Sequence, residues 1–250
     1  MKSLLFIFTL VLPLTLFGQI QQPMTAAQRK DQVFLNDTLF QVDPLNNEIK
    51  ILTIRNPKGM LVAQGSIKND KKEGVWRTYT NQGILLTLDE FHNGKLHGAS
   101  LKFGSNNTIS SDATFQNDSL NGTKLSYSSI GKVKTLENYK NGELNGERKT
   151  FYDDNKPQEE SFYIEGKRDE VAKWYFKDGT PSIEYTYKLG VLEGPTKEFN
   201  STGSLSKEGF YKHDLEDGEW KIYENAILIK KITYKLGIVV KEQIIKNVVK

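Results

Sequence analysis

The chain has 250 residues, 37% of them hydrophobic and 26% charged, with 34 basic side chains against 31 acidic ones. A near-neutral surface without a long run of like charge offers nucleic acid no clustered basic patch to hold. Cysteine is absent, which excludes disulfides, thiolate metal sites, a cysteine nucleophile and a lipidated cysteine.

Residues 1–18 carry the marks of a secretory signal peptide: Lys2, an apolar run from Leu4 to Leu16 broken by Thr9, Pro13 and Thr15, and a cleavage point at Gly18-Gln19. The expected destination is outside the cytoplasm, in the periplasm, the cell envelope or the medium. No later segment reaches 18 consecutive apolar residues, so no transmembrane segment is expected in the mature chain. Residues 19–42 lack pattern and read as an N-terminal tail or linker, with room for a strand at 38–42. Residues 43–73 read as a degenerate capping repeat: Gly59 and Asn69-Asp70 fall at turn positions, while Arg55 and Ile67 stand where later units have aromatics.

From residue 74 to 241 a 24-residue period takes over. Gly74, Gly98, Gly122, Gly146, Gly194 and Gly218 mark it, with Glu170 replacing the fifth member. Five residues past each anchor stands an aromatic: Tyr79, Phe103, Tyr127, Phe151, Tyr175, Phe199 and Tyr223. With aromatics at 11% of the chain, chance agreement at all seven positions is on the order of one in a million or less. Nine past the anchor comes Gly or Asn, and seventeen past comes a second aromatic (Phe91, Phe115, Tyr139, Tyr163, Tyr187, Tyr211). Twenty past comes Gly or Asp. The seventh unit fits if one residue is deleted near Asn225-Ala226. Each unit thus holds two turn signals and two aromatic, β-branched segments without a 3.6-residue stripe, which predicts a β-hairpin. The expected fold is all-β: an elongated single-layer antiparallel β-meander of about seven 24-residue β-hairpin repeats, closed by a C-terminal cap strand at 242–250.

A two-residue turn at Asp178-Gly179 would set the residue three past each anchor opposite the residue fourteen past it. That register pairs Lys149 with Glu160, Lys173 with Glu184, Lys197 with Glu208, and Leu125 with Leu136. These are the opposite-charge and apolar matches that cross-strand neighbours favour, while the first two units pair Arg77 with Leu88 and Leu101 with Asp112 and do not match. The same register sets each second aromatic opposite its anchor, which predicts a ring lying over bare glycine backbone.

The string Gly-x-x-x-x-aromatic, then a turn glycine, then aromatic-x-Asn-Gly-x-Leu-x-Gly resembles the MORN-repeat variant family, which includes YwqK-type antitoxins. Gly74 to Gly98 (with Trp76, Tyr79, Gly83, Phe91, Asn93, Gly94 and Leu96) and Gly122 to Gly146 (with Tyr127, Gly131, Tyr139, Asn141, Gly142 and Leu144) carry the likeness. The resemblance implies a hairpin array acting as a contact surface, with no shared catalytic residues.

His92 and His97 flank the turn at Asn93-Gly94 near Asp89 and Glu90, where solvated turn histidines are a simpler reading than a metal site. Asp153-Asp154 sits at a turn and Glu160 of Glu159-Glu160 has a predicted lysine partner, and a single-layer sheet does not readily provide the enclosed pocket that acid–base catalysis needs. No cofactor or metal is expected. The candidate binding surface is the ladder Tyr79, Phe103, Tyr127, Phe151, Tyr175, Phe199 and Tyr223 beside Lys149, Lys173 and Lys197. Amphipathic rings and lysines suit a protein or glycan partner, although the same rings also serve to cover neighbouring strands. The expected function is a non-enzymatic envelope scaffold. The alternatives are an antitoxin or immunity protein and, behind it, a hydrolase of cell-wall or polysaccharide material. A monomer is expected, with edge-to-edge pairing open at the sheet ends.

Overall fold

The computed structural model describes residues 37–245; the leader expected at 1–18, most of the tail and the last five residues lie outside them. The described residues form eighteen strands: β1 (Asp37–Val42), β2 (Ile49–Arg55), β3 (Leu61–Lys68), β4 (Lys71–Tyr79), β5 (Leu85–His92), β6 (Lys95–Phe103), β7 (Ile109–Gln116), β8 (Ser119–Tyr127), β9 (Val133–Lys140), β10 (Glu143–Phe151), β11 (Pro157–Ile164), β12 (Lys167–Tyr175), β13 (Pro181–Lys188), β14 (Val191–Phe199), β15 (Leu205–Lys212), β16 (Leu215–Glu224), β17 (Ile227–Lys235) and β18 (Ile238–Ile244). Every strand pairs antiparallel with its successor, from β1–β2 through β9–β10 to β17–β18. The described residues are therefore an all-β meander of hairpin repeats in one open sheet, as the period predicts.

The register also follows the charge pattern. Lys149 faces Glu160, Lys173 faces Glu184, Lys197 faces Glu208 and Leu125 faces Leu136. The turn that produces this register is not the two-residue one inferred from Asp178-Gly179. After Tyr175 the Phe176 N–H donates to the Thr180 carbonyl at 2.8 Å and the Gly179 N–H to the Phe176 carbonyl at 2.9 Å. A one-residue shift between Trp174 and Tyr175 then restores the register. The longer connection and the bulge compensate, so cross-strand pairs cannot tell it from a tight turn.

The tight turns are the others. Asn93-Gly94 joins His92 to Lys95 with φ of 52° and 83°, the doubly positive geometry of a primed hairpin turn, whose twist matches that of the strands. Glu165, Leu189, His213 and Leu236 adopt the same left-handed first position without being Asn or Gly. In the seventh unit the missing residue converts the longer connection into a two-residue turn at Asn225-Ala226, with Glu224 opposite Ile227.

The anchor glycines serve a bulge rather than a ring. Each second aromatic does face its anchor, as Phe91 faces Gly74. However, a side chain built on the anchor meets Glu90 at Gly98, Thr114 at Gly122 and Asn138 at Gly146, and nothing within 4 Å at Gly74 or Gly218. What the site demands is backbone: on its other edge the ladder slips by two residues at the anchor, as between Asp89 and Phe91. The anchor there holds a positive φ, 112° at Gly98 and 61° even at Glu170. A β-bulge of this kind is where glycine is favoured in a strand.

Candidate binding faces of the sheet

Alternation along each strand divides the side chains between two faces. One face carries a central row that runs across the strands through the residue two past each anchor. Trp76, Ser100, Ala113, Ala172, Thr196, Trp220 and Ile232 belong to it and are buried, Trp220 completely. Small residues sit beside large ones: the ring of Trp76 lies over Gly65 and that of Trp220 over Gly209. The flanking rings continue the packing. Trp174, Tyr185, Tyr211, Trp220 and Tyr234 form an edge-to-face chain with successive centroids 6.0, 5.9, 5.1 and 6.1 Å apart.

In the middle of the sheet the row turns ionic. Glu159, 8% exposed, accepts from Arg148 at 2.7 Å and from Arg168 at 2.6 Å. Lys124 reaches Glu137 at 3.1 Å. Burial alone would raise the Glu159 carboxyl, but the two guanidinium groups hold it below the ordinary carboxylate range. Arg168 also stands within 5.3 Å of the Trp174 ring centre and within 6 Å of Tyr163 and Tyr187. This face is a packed core built on a single sheet.

The opposite face carries the residues singled out in the sequence. Tyr79, Phe103, Tyr127, Phe151, Tyr175, Phe199 and Tyr223 are all half-buried, one per repeat, at the ends of β4, β6, β8, β10, β12, β14 and near the end of β16. They stand two strands apart, about 9.6 Å from one to the next by the interstrand spacing. Tyr175 donates its hydroxyl to Glu160 at 2.8 Å and Tyr223 to Glu208 at 2.8 Å. Burial, followed by that carboxylate, pushes the Tyr175 phenol up to about 12. Lys149 and Lys173 stand 3.7 Å from Glu160 and Glu184, and Lys197 is exposed between Glu184 and Glu208.

These pairs are parts of one row. From Lys149 the cross-strand partners run Glu160, Lys173, Glu184, Lys197, Glu208 and Lys221, alternating in sign at every step. Toward the N-terminus the same row is mostly leucine, running Leu136, Leu125, Asp112, Leu101 and Leu88 before Arg77. Where the two halves meet, Leu125, Val133, Leu136 and Phe151 line an open, mostly apolar depression of about 500 Å³.

Sequence reasoning missed a second set. The residue just before the anchor is polar in every unit (Glu73, His97, Asn121, Asn145, Asp169, Glu193, Asp217). In five of these units its side chain accepts the N–H of the first turn residue of the next hairpin: Glu73 from Asn93, Asn121 from Asn141, Asp169 from Leu189, Glu193 from His213 and Asp217 from Leu236, at 2.8–3.2 Å. The second turn residue donates to the backbone of the preceding hairpin, as Gly94 does to Lys72 at 2.9 Å. Each repeat therefore holds the tip of the next. His97 occupies this acceptor position, and His92 Nδ1 lies 3.0 Å from Glu73 Oε1. Among the described residues no three His, Asp or Glu side chains converge as metal ligands.

One sheet, a 24-residue hairpin period and bulged anchors define a β-hairpin repeat protein. The family model described as MORN repeat variant matches residues 144–165 and 192–213, two windows that begin 48 residues apart, or two periods. Two stretches of the chain are thus similar to MORN repeats, and MORN repeats are often protein- or lipid-binding modules. No curated protein matches the chain in sequence.

Proposed function

We propose that the chain is an exported, non-enzymatic binding module that holds a protein or glycan partner against the face bearing the aromatic ladder. The observation that carries this reading is the asymmetry of the sheet. The Trp76–Trp220 row is sealed by its own neighbours, whereas Phe151, Tyr175, Phe199 and Tyr223 recur at half exposure beside a row of alternating charge. A surface of recurring rings and salt-bridged lysines, with a shallow apolar depression and no enclosed cleft in this ladder, fits the extended contact of a repeat module better than turnover of a small substrate. Export rests on Lys2, the Leu4–Leu16 run and Gly18-Gln19.

The test is a fourfold variant, Phe151→Ser, Tyr175→Ser, Phe199→Ser and Tyr223→Ser, compared with wild type in capture from envelope fractions and on glycan arrays. The expected result is loss of every partner retained by wild type, with far-UV circular dichroism unchanged. Equal capture by a folded fourfold variant refutes the assignment of the face. Fractionation of cells carrying the full chain tests export, and recovery only in the cytoplasm refutes it.

A further inference from the structure

The end of the sheet at β18 is unlike its middle. All seven residues from Ile238 to Ile244 are exposed, and Ile238, Val239, Val240 and Ile244 expose between 50% and 71% of their surface. Its inner edge is used by β17: the Ile245 N–H donates to the Ile229 carbonyl at 2.8 Å. By alternation, Lys241 and Gln243 also turn their backbone groups inward, and Glu242 and Ile244 turn theirs out. No described strand pairs with that outer edge. An apolar strand with an open edge is a template for another strand.

We infer that this edge pairs with β18 of a second copy, in an antiparallel register centred on Glu242. A two-fold axis normal to the sheet must set one residue opposite itself, since facing residues share a side of the sheet. Centring on Lys241 opposes two ammonium groups. Centring on Val240 sets Glu242 against Ile238 and Lys241 against Val239, and centring on Gln243 sets Glu242 against Ile244. Centring on Glu242 instead joins Val240 to Ile244 twice and Lys241 to Gln243 twice. The two carboxylates that meet at the axis are each paired within their own chain, because Glu242 lies 2.7 Å from Lys230 on β17. The axis then passes through a closed cluster of two lysines and two glutamates, with apolar pairs on either side. The strand is short, so the association is weak and concentration-dependent.

The chain has no cysteine of its own, so single cysteines report the register directly. Facing Cα atoms in an antiparallel ladder fall within disulfide reach, and those displaced along it do not. In the full chain, Glu242→Cys should cross-link to itself under mild oxidation about tenfold faster than Leu45→Cys, where a residue exposure of 96% reports random collision. Lys241→Cys and Gln243→Cys should each self-link no faster than Leu45→Cys but should link to one another when mixed. Adding Val240→Pro, at a bulged position outside the β17 ladder, should return Glu242→Cys to the collision rate with an unchanged thermal melt. If that melt falls, Val240→Lys takes its place, with the same loss expected. Self-linking of Glu242→Cys at the collision rate overturns the inference. So does preferential self-linking at 241, or faster linking of 242 to a cysteine placed at Phe40 on β1, which would make the contact head-to-tail.

Discussion

The close approach of Trp220 to Gly209 gives the sharpest test of how the core is built. A Cβ placed on Gly209 meets Trp220 Cδ2, Cε2 and Cε3, the last at 2.6 Å, about 1 Å short of the 3.5–4.0 Å at which carbon atoms rest. The indole is fully buried, so it has no open space to retreat into, and Tyr211 and Tyr234 stand edge-on at 5.1 and 6.1 Å. Gly209 does not hold a positive φ; the penalty of Gly209→Ala is therefore overpacking alone, about 1–3 kcal/mol. For a chain of this size that is a fall of roughly 2–12 °C in Tm. The assay is a double-mutant cycle with Trp220→Thr, followed by calorimetry or urea titration. Trp220→Thr alone should cost about 3–5 kcal/mol through the lost ring. In that background Gly209→Ala should be neutral or stabilising, because the clash is gone and alanine restricts the unfolded chain more than glycine. Hydrogen exchange should quicken first in β14–β17, since a repeat contacts only its neighbours. If Gly209→Ala costs the same with and without the indole, the pairing of small and large residues is not what shapes the row.

Three further outcomes follow from named contacts. Trp76→Phe should cost about 1 kcal/mol more than Trp220→Phe, since Trp76 Nε1 donates to the Ser66 carbonyl at 2.8 Å while the buried Trp220 Nε1 has no partner among the described residues; equal urea midpoints would count against it. Glu170→Gly should raise stability on the order of 0.5 kcal/mol, because relief of a left-handed φ of 61° exceeds the entropy glycine adds to the unfolded chain, and a lower urea midpoint would refute this. Glu159, held below its ordinary value of 4.5, lends stability that is complete above that pH and lost as acid carries the pH through its lowered folded value. Glu159→Gln should therefore cost about 3 kcal/mol at pH 7 by leaving Arg168 without a carboxylate and Arg148 with Glu137 alone, and should flatten the fall of Tm below pH 4.5; an unchanged acid limb would refute it.

The hairpins, their period and their register were legible because they rest on features that repeat in kind. An aromatic five past the anchor can be counted, and Lys149 opposite Glu160 recurs at Lys173 and Lys197. The buried row was not legible for the opposite reason. Two past the anchor the chain has Trp76, Ser100, Lys124, Arg148, Ala172, Thr196 and Trp220, which share no chemistry. What they share is a place between two strands whose residues complement each one: Gly65 under Trp76, Gly209 under Trp220, Glu137 and Glu159 around Arg148. The turn acceptors were hidden differently. Glu73, Asn121 and Asp169 belong to one polar class, but their partner is a backbone N–H about twenty residues further on, which no side-chain pattern announces.

The two faces answer to different constraints, and this bears on where a partner can act. On the core face each side chain is fitted to the strands beside it, so a change there is felt as stability first. On the ladder face the Lys–Glu row is partly exposed, and exposed ion pairs contribute little, about 0–1 kcal/mol each. The alternation from Lys149 to Lys221 is therefore stronger than stability alone requires. It fixes register, since a one-residue slip of a strand would break the pairing and move that strand's ring to the wrong face. The same row leaves Phe151, Tyr175, Phe199 and Tyr223 at a regular spacing on a near-neutral surface. Under the proposed function, that regular ladder is the part of the sheet that would meet the partner, and substitutions there would change binding before stability.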